Sequence, residues 1–198
     1  MASLEEIGAG VKGHVLIRYA DTREIIREVF NAINYEALSM SLAMGIADRA
    51  NGHIYEMVFG NGGSTVTSVG NITYLPPNVN GLSASLYNQT FSKIVDDMSP
   101  LNSSPADNYI RVQHTSGLPF SDIQITCTLG FNEPSDQLAF DNSNPDLPTS
   151  YIFDELGLRS YNSLGVSGSL ISHAIFHPIQ KALNRAIEVI YTIRINVG

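Results

Sequence analysis

The sequence predicts a mainly β protein, a β-sandwich with one α-helical segment at about residues 35–50 and long loop arms. Three observations lead there. In the closing stretch Ile187, Val189, Tyr191, Ile193, Ile195 and Val197 occupy alternate positions, so six of six side chains on one face of an extended chain are apolar. With it, seven to nine runs with strand character are spaced by turn signals along the chain. Only one segment carries a clear helical period.

Taken in order, residues 11–31 read as a hairpin. Val15, Ile17 and Tyr19 alternate with Leu16 and Arg18, Ala20-Asp21-Thr22 turns, and the chain returns through Ile25 to Phe30. The returning limb suits a strand or a short helix almost equally, because periodicity does not arbitrate over so few residues. The helix follows. Asn34 is placed to cap it, Leu38, Leu42 and Ile46 form a stripe, and Asn51-Gly52 supplies a stop.

Residues 53–63 are a junction. Tyr55, Met57 and Phe59 share one strand face, and Gly60-Asn61-Gly62-Gly63 ends the strand with residues that tolerate positive φ and the close approach of another backbone. Residues 64–86 are rich in Gly, Asn, Ser, Thr and Pro. They read as an extended arm in which 65–67 and 71–75 are candidate strands, and Pro76-Pro77 and Asn80-Gly81 break anything longer.

Residues 87–101 form a strand or a short helix, and Tyr109–Thr115 and Ile123–Leu129 are two further strands. The stretch 132–149, with prolines at 134, 145 and 148, reads as a surface loop. Residues 151–158 open the last section, a strand at 172–177 stops at Pro178, and the closing strand belongs inside a sheet, where its apolar face is not an exposed edge.

At 198 residues the chain is expected to fold as one domain, 1–198, burying roughly 70% of its unfolded surface. Charged residues are scarce, at 15%, which suits a surface covered by partners. Residues 96–155 hold 1 Lys/Arg against 10 Asp/Glu, while residues 156–198 hold 4 against 1. That acidic middle argues against nucleic-acid binding, which needs clustered cations. The basic end and the acidic middle would attract one another across a subunit boundary, or simply be solvated. One cysteine, Cys127, excludes an internal disulfide and reads as a small buried apolar residue. No apolar run of 18 residues predicts a membrane span, and the first residues carry no secretory signal.

The candidate chemistry is thin. Gly60 to Thr65 lacks the lysine of a phosphate-cradling loop. His173 and His177 are spaced as metal ligands but have no Cys, Asp or Glu nearby in sequence, and hydrogen-bonded or interface histidines are the simpler reading. Residues 141–146 lack the glycine of a calcium loop. Asp96-Asp97 and Asp154-Glu155 are adjacent pairs, which point apart on a regular strand. No catalytic, cofactor or metal residue is assigned, and no enzymatic reaction is supported.

The pieces in order, namely Gly13-His14-Val15-Leu16-Ile17, the helix, Ile54 to Gly63, Leu86 to Ile94, Phe153-Asp154-Glu155-Leu156-Gly157-Leu158 and Ser172 to Ile179, resemble small structural proteins of tailed-bacteriophage virions. The likeness runs from about residue 11 to the end, leaving out 109–148. Phe153–Leu158 and the closing strand are similar to tail-collar and baseplate families, with Leu156 where isoleucine is usual. The resemblance implies a subunit of a ring or collar at the neck, tail or baseplate. It would be assembled in the host bacterial cytoplasm, with copies of itself and other virion proteins as partners. A receptor- or carbohydrate-binding module of a phage tail, using Tyr74, Tyr87, Tyr109, Tyr151 and Tyr161, is the alternative, with capsid decoration beside it. The candidate interface is Gly60, Asn61, Gly62, Gly63, Tyr74, Pro76, Pro77 and Asn80, with residues 1–10 and 132–149 as further contact segments. On this reading the glycines launch the arm toward a neighbour, and Gly62→Val harms assembly more than folding.

Overall fold

A computed structural model of the chain describes residues 9–49, 51–68, 70–134, 150–164 and 168–197. Its strands are β1 (Ala9–Tyr19), β2 (Ile25–Ile33), β3 (Ile54–Gly60), β4 (Ser64–Val66), β5 (Ile72–Tyr74), β6 (Gln89–Ile94), β7 (Tyr109–His114), β8 (Phe120–Leu129), β9 (Ser150–Ser160), β10 (Leu170–Ala182) and β11 (Ile187–Val197); α1 (Tyr35–Ile46) is the one helix among the described residues. Nine strands make one curled antiparallel sheet in the order β6-β3-β9-β10-β2-β1-β11-β8-β7, and β4 and β5 pair separately. The two ambiguous stretches, 25–33 and 89–94, are strands.

The closing strand earns its period. β11 lies between β1 and β8, with Val15 opposite Tyr191, Ile17 opposite Val189, Cys127 opposite Val189 and Ile125 opposite Tyr191. Those six side chains are fully buried on one face. The facing half contributes Met57, Phe59, Phe153, Leu156, Leu158 and Phe176 to the same core cluster. Two sheet halves sharing one apolar interior is a sandwich-like arrangement. The fold turns its corner at β2, which pairs along β1 but meets β10 only through Ser172–Ile33 and His173–Ala32.

Two boundaries differ from the sequence expectation. The helix stops at Ile46, not near Ala50. Asp48 adopts φ +52, its N–H bonds Gly45 O, and Arg49 N–H bonds Met44 O, the hydrogen-bond pair of a left-handed C-terminal cap with aspartate where glycine is usual. Its stripe is also not wholly core, since Leu38 is buried but Ile46 is 89% exposed. Strand β10 does not stop at Pro178. Its register against β9 shifts between Ile175–Glu155 and Ile179–Phe153, and the proline sits in that irregularity, where no ladder N–H is required.

Candidate functional site

The arm does not leave the molecule; it lies on the outer face of β3, β9 and β10, and two consecutive carboxylates hold it there. Along β9 the core-facing residues change from Tyr151 and Phe153 to Leu156 and Leu158. That change of parity falls on Asp154-Glu155, where the register with β10 shifts. A bulge of this kind sends both acids away from the core, so the adjacent pair does not point apart as a regular strand would have it.

Both carboxylates are saturated by the arm. Asp154 accepts from Gly63 N–H at 2.9 Å, Ser64 N–H at 2.8 Å and the Ser64 hydroxyl. Glu155 accepts from Gly62 N–H at 3.1 Å, Tyr87 N–H at 2.9 Å and Asn88 N–H at 2.8 Å, which are the two ends of the arm. His173 Nε2 completes the set at 3.0 Å from Glu155 Oε2. Because His173 Nδ1 accepts the Asn78 N–H at 2.9 Å, the ring proton sits on Nε2 and is donated to the glutamate.

The environment splits the two acids electrostatically. Burial pushes Glu155 up, but the His173 and amide hydrogen bonds outweigh it and hold the carboxyl below its usual range. Burial dominates at Asp154 and raises its pKa against the Ser64 and Gly63 hydrogen bonds. An ionised Glu155 inside protein is tolerable only because each of its lone-pair directions meets a donor.

Further pins run along the arm. Ala84 and Leu86 pack on Val58 and Leu170 as a small second core. Asn34, the buried N-cap of α1, gives its side-chain N–H to Gly81 O at 2.8 Å and accepts Ala37 N–H at 3.2 Å. Leu75 N–H bonds Gly63 O, and the Tyr87 hydroxyl donates to Pro76 O at 2.7 Å.

The candidate interface residues therefore divide. Gly60 and Gly63 are buried, and Asn61 and Gly62 are half-buried, inside this clamp. None of the three glycines has positive φ, so of the two expected reasons for them only close approach applies. A Cβ on Gly60 would lie 2.4 Å from Asn88 O, and one on Gly62 would lie 2.8 Å from Asn88 N and Tyr87 Cβ. The contact partner is this chain's own backbone, which shifts the expected harm of Gly62→Val onto the subunit itself. Tyr74, Pro76, Pro77 and Asn80 are exposed on the arm's outer surface. Asn80 also lines a cleft of about 700 Å³ with Lys12, Phe30 and Tyr35. Of the further contact segments, 1–8 and 135–149 lie outside the described residues, as do the oxygen-rich residues 141–146.

Other candidates resolve into packing. His177 Nδ1 meets the Tyr74 hydroxyl at 3.1 Å, apart from the His173 site. No group of three or more His, Cys, Asp or Glu side chains arranged to hold a metal occurs among the described residues. Asp96 takes Met98 N–H and faces His53 at 3.5 Å, and Asp97 accepts Ile110 N–H. Cys127 is fully buried, and burial pushes its thiol up to about 12. The five tyrosines do not share a platform: Tyr151 is buried against Phe153, Tyr161 stacks on His53 and Tyr109 carries Arg111. The basic end is consumed internally, since Arg194 pairs with Asp122, Arg185 lies over the Tyr19 ring, and Arg159 and Lys181 are buried. No helix among the described residues is long and apolar enough to cross a membrane.

Comparison with models of known protein families, with curated proteins and with solved structures gives no match.

Proposed function

We propose that this chain is a structural subunit of a tailed-bacteriophage virion, assembling with copies of itself and with other virion proteins at the neck, tail or baseplate. It works by assembly and not by turnover. The observation that carries this reading is the pinned arm. Its backbone is fixed from below by Asp154, Glu155, His173 and Asn34, while Tyr74, Pro76, Pro77 and Asn80 are exposed and Asn80 lines a cleft with Phe30, which is 82% exposed. Val66, Leu82 and Tyr87 add exposed apolar surface on the same segment. Exposed apolar side chains on a rigid support are what a permanent interface buries, and a pre-ordered segment loses little entropy on docking.

A cryo-electron reconstruction of an intact particle containing the chain tests the assignment. The proposal expects its density in a ring or collar, with the arm face against a neighbour. Density showing the arm facing solvent all round the particle overturns it.

A further inference from the structure

The sandwich has an unfilled end. Between α1, the start of β3, the 96–98 turn and the β7–β8 pair lies a cavity of about 600 Å³ whose walls include Leu38, Leu42, Ile54, Ile110, Ile123 and Ile193. Its floor is the core itself, since Ile193 and Ile171 are fully buried, and its mouth is open, since Met98 is 90% and Val112 70% exposed. That volume falls in the range of small-molecule sites, which are apolar with a few placed polar groups.

The polar groups here are few and one-sided. At the mouth stand Asp96 and Asp97, with His53 against Asp96 at 3.5 Å. Among the wall residues Ser41 Oγ is buried and has no hydrogen-bond partner among the described residues. A peptide segment brings a carbonyl and an N–H with every residue, and these walls offer almost nothing to satisfy them. An aliphatic chain brings none. A carboxylate head would meet two acids at the rim, whereas an ammonium head would be attracted by them.

We propose that this cavity binds a small amphiphile with an unbranched aliphatic body and a cationic amine head, the chain running toward Ile193 and the head lying between Asp96 and Asp97. The site is separate from the carboxylate clamp and does not depend on the assembly reading.

Isothermal titration with decylammonium and decanoate, each below its micelle-forming concentration, tests it. The expected result is saturable one-to-one binding of decylammonium, at least tenfold tighter than decanoate. Leu42→Trp, which adds bulk to the cavity wall, is expected to abolish it, and Asp97→Asn to weaken the amine several-fold, both with unchanged circular dichroism. If Leu42→Trp does not fold, Asp97→Asn at its exposed position carries the test alone. Absence of saturable binding, equal affinity for both probes, or amine binding indifferent to either folded variant overturns the proposal. So does a concentration-dependent dimer that Leu42→Trp breaks and decylammonium leaves intact, since a second copy then fills the cavity.

Discussion

Glu155 Oε2 and His173 Nε2 stand 3.0 Å apart with both side chains wholly excluded from solvent, and the remaining hydrogen-bonding positions of the pair are filled by backbone N–H groups of the arm. The pair is thus a fastener between residues 62 and 88 and the sheet beneath them. Replacing Glu155 with glutamine keeps the shape but removes the charge that four donors share, and it brings an amide N–H toward them. Glu155→Gln is expected to cost about 2–3 kcal/mol in chemical denaturation, in the range for hydrogen bonds to a charged group. Native-state hydrogen exchange should show the amides of Gly62, Tyr87 and Asn88 losing protection before those of β11.

Gly60 stands opposite Glu155 where β3 pairs with β9. A methyl group on residue 60 would approach Glu155 Oε1 to 2.5 Å as well as Asn88 O. Gly60→Ala is therefore expected to destabilise the isolated subunit by about 1–3 kcal/mol, as overpacking does. Thermal denaturation of the purified, unassembled protein measures it.

The helix terminus makes the opposite prediction. Asp48 holds the left-handed position that glycine adopts without a Cβ penalty. Asp48→Gly should stabilise the protein by about 0.5–1 kcal/mol, read as a rise in Tm.

Lys181 sets a pH dependence. It is 1% exposed, and burial pulls its pKa down from 10.5 to about 8, with Glu133 opposing and Lys93 assisting. Between those values the unfolded chain holds the proton and the folded chain does not, so stability rises with pH. Wild type is expected to gain stability from pH 8 to 10, and Lys181→Met to lose that slope and be more stable at pH 7 by about 1–3 kcal/mol. Urea denaturation of both proteins across this range gives the difference.

Much of the fold was legible because alternation survives wherever one strand face is buried. Val189, Tyr191 and Ile193 announce β11, and Ile125 and Cys127 announce β8. What was not legible depends on irregularity. Pro178 reads as a terminator until a bulge accommodates it, and the α1 stripe reads as core although the sheet covers only its first turns. The clamp was hidden for the same reason. A regular strand separates Asp154 from Glu155, yet the slip from Tyr151 and Phe153 to Leu156 and Leu158 was present in the residues and marks the bulge that joins them. The glycines were singled out for positive φ and for close approach of another backbone, and only the close approach is found. Nothing in the sequence pairs His173 with Glu155, because an 18-residue separation across β9 and β10 becomes a contact only once the register is fixed.

The claim that the pinned arm presents an assembly face is tested most directly by sedimentation of the purified protein over a range of concentrations, alongside Phe30→Asp and Tyr74→Ser. The account predicts that wild type forms a discrete higher species and that both variants, with unchanged circular dichroism and Tm, remain monomeric. A wild type that stays monomeric throughout, or folded variants that assemble as well as wild type, would contradict it.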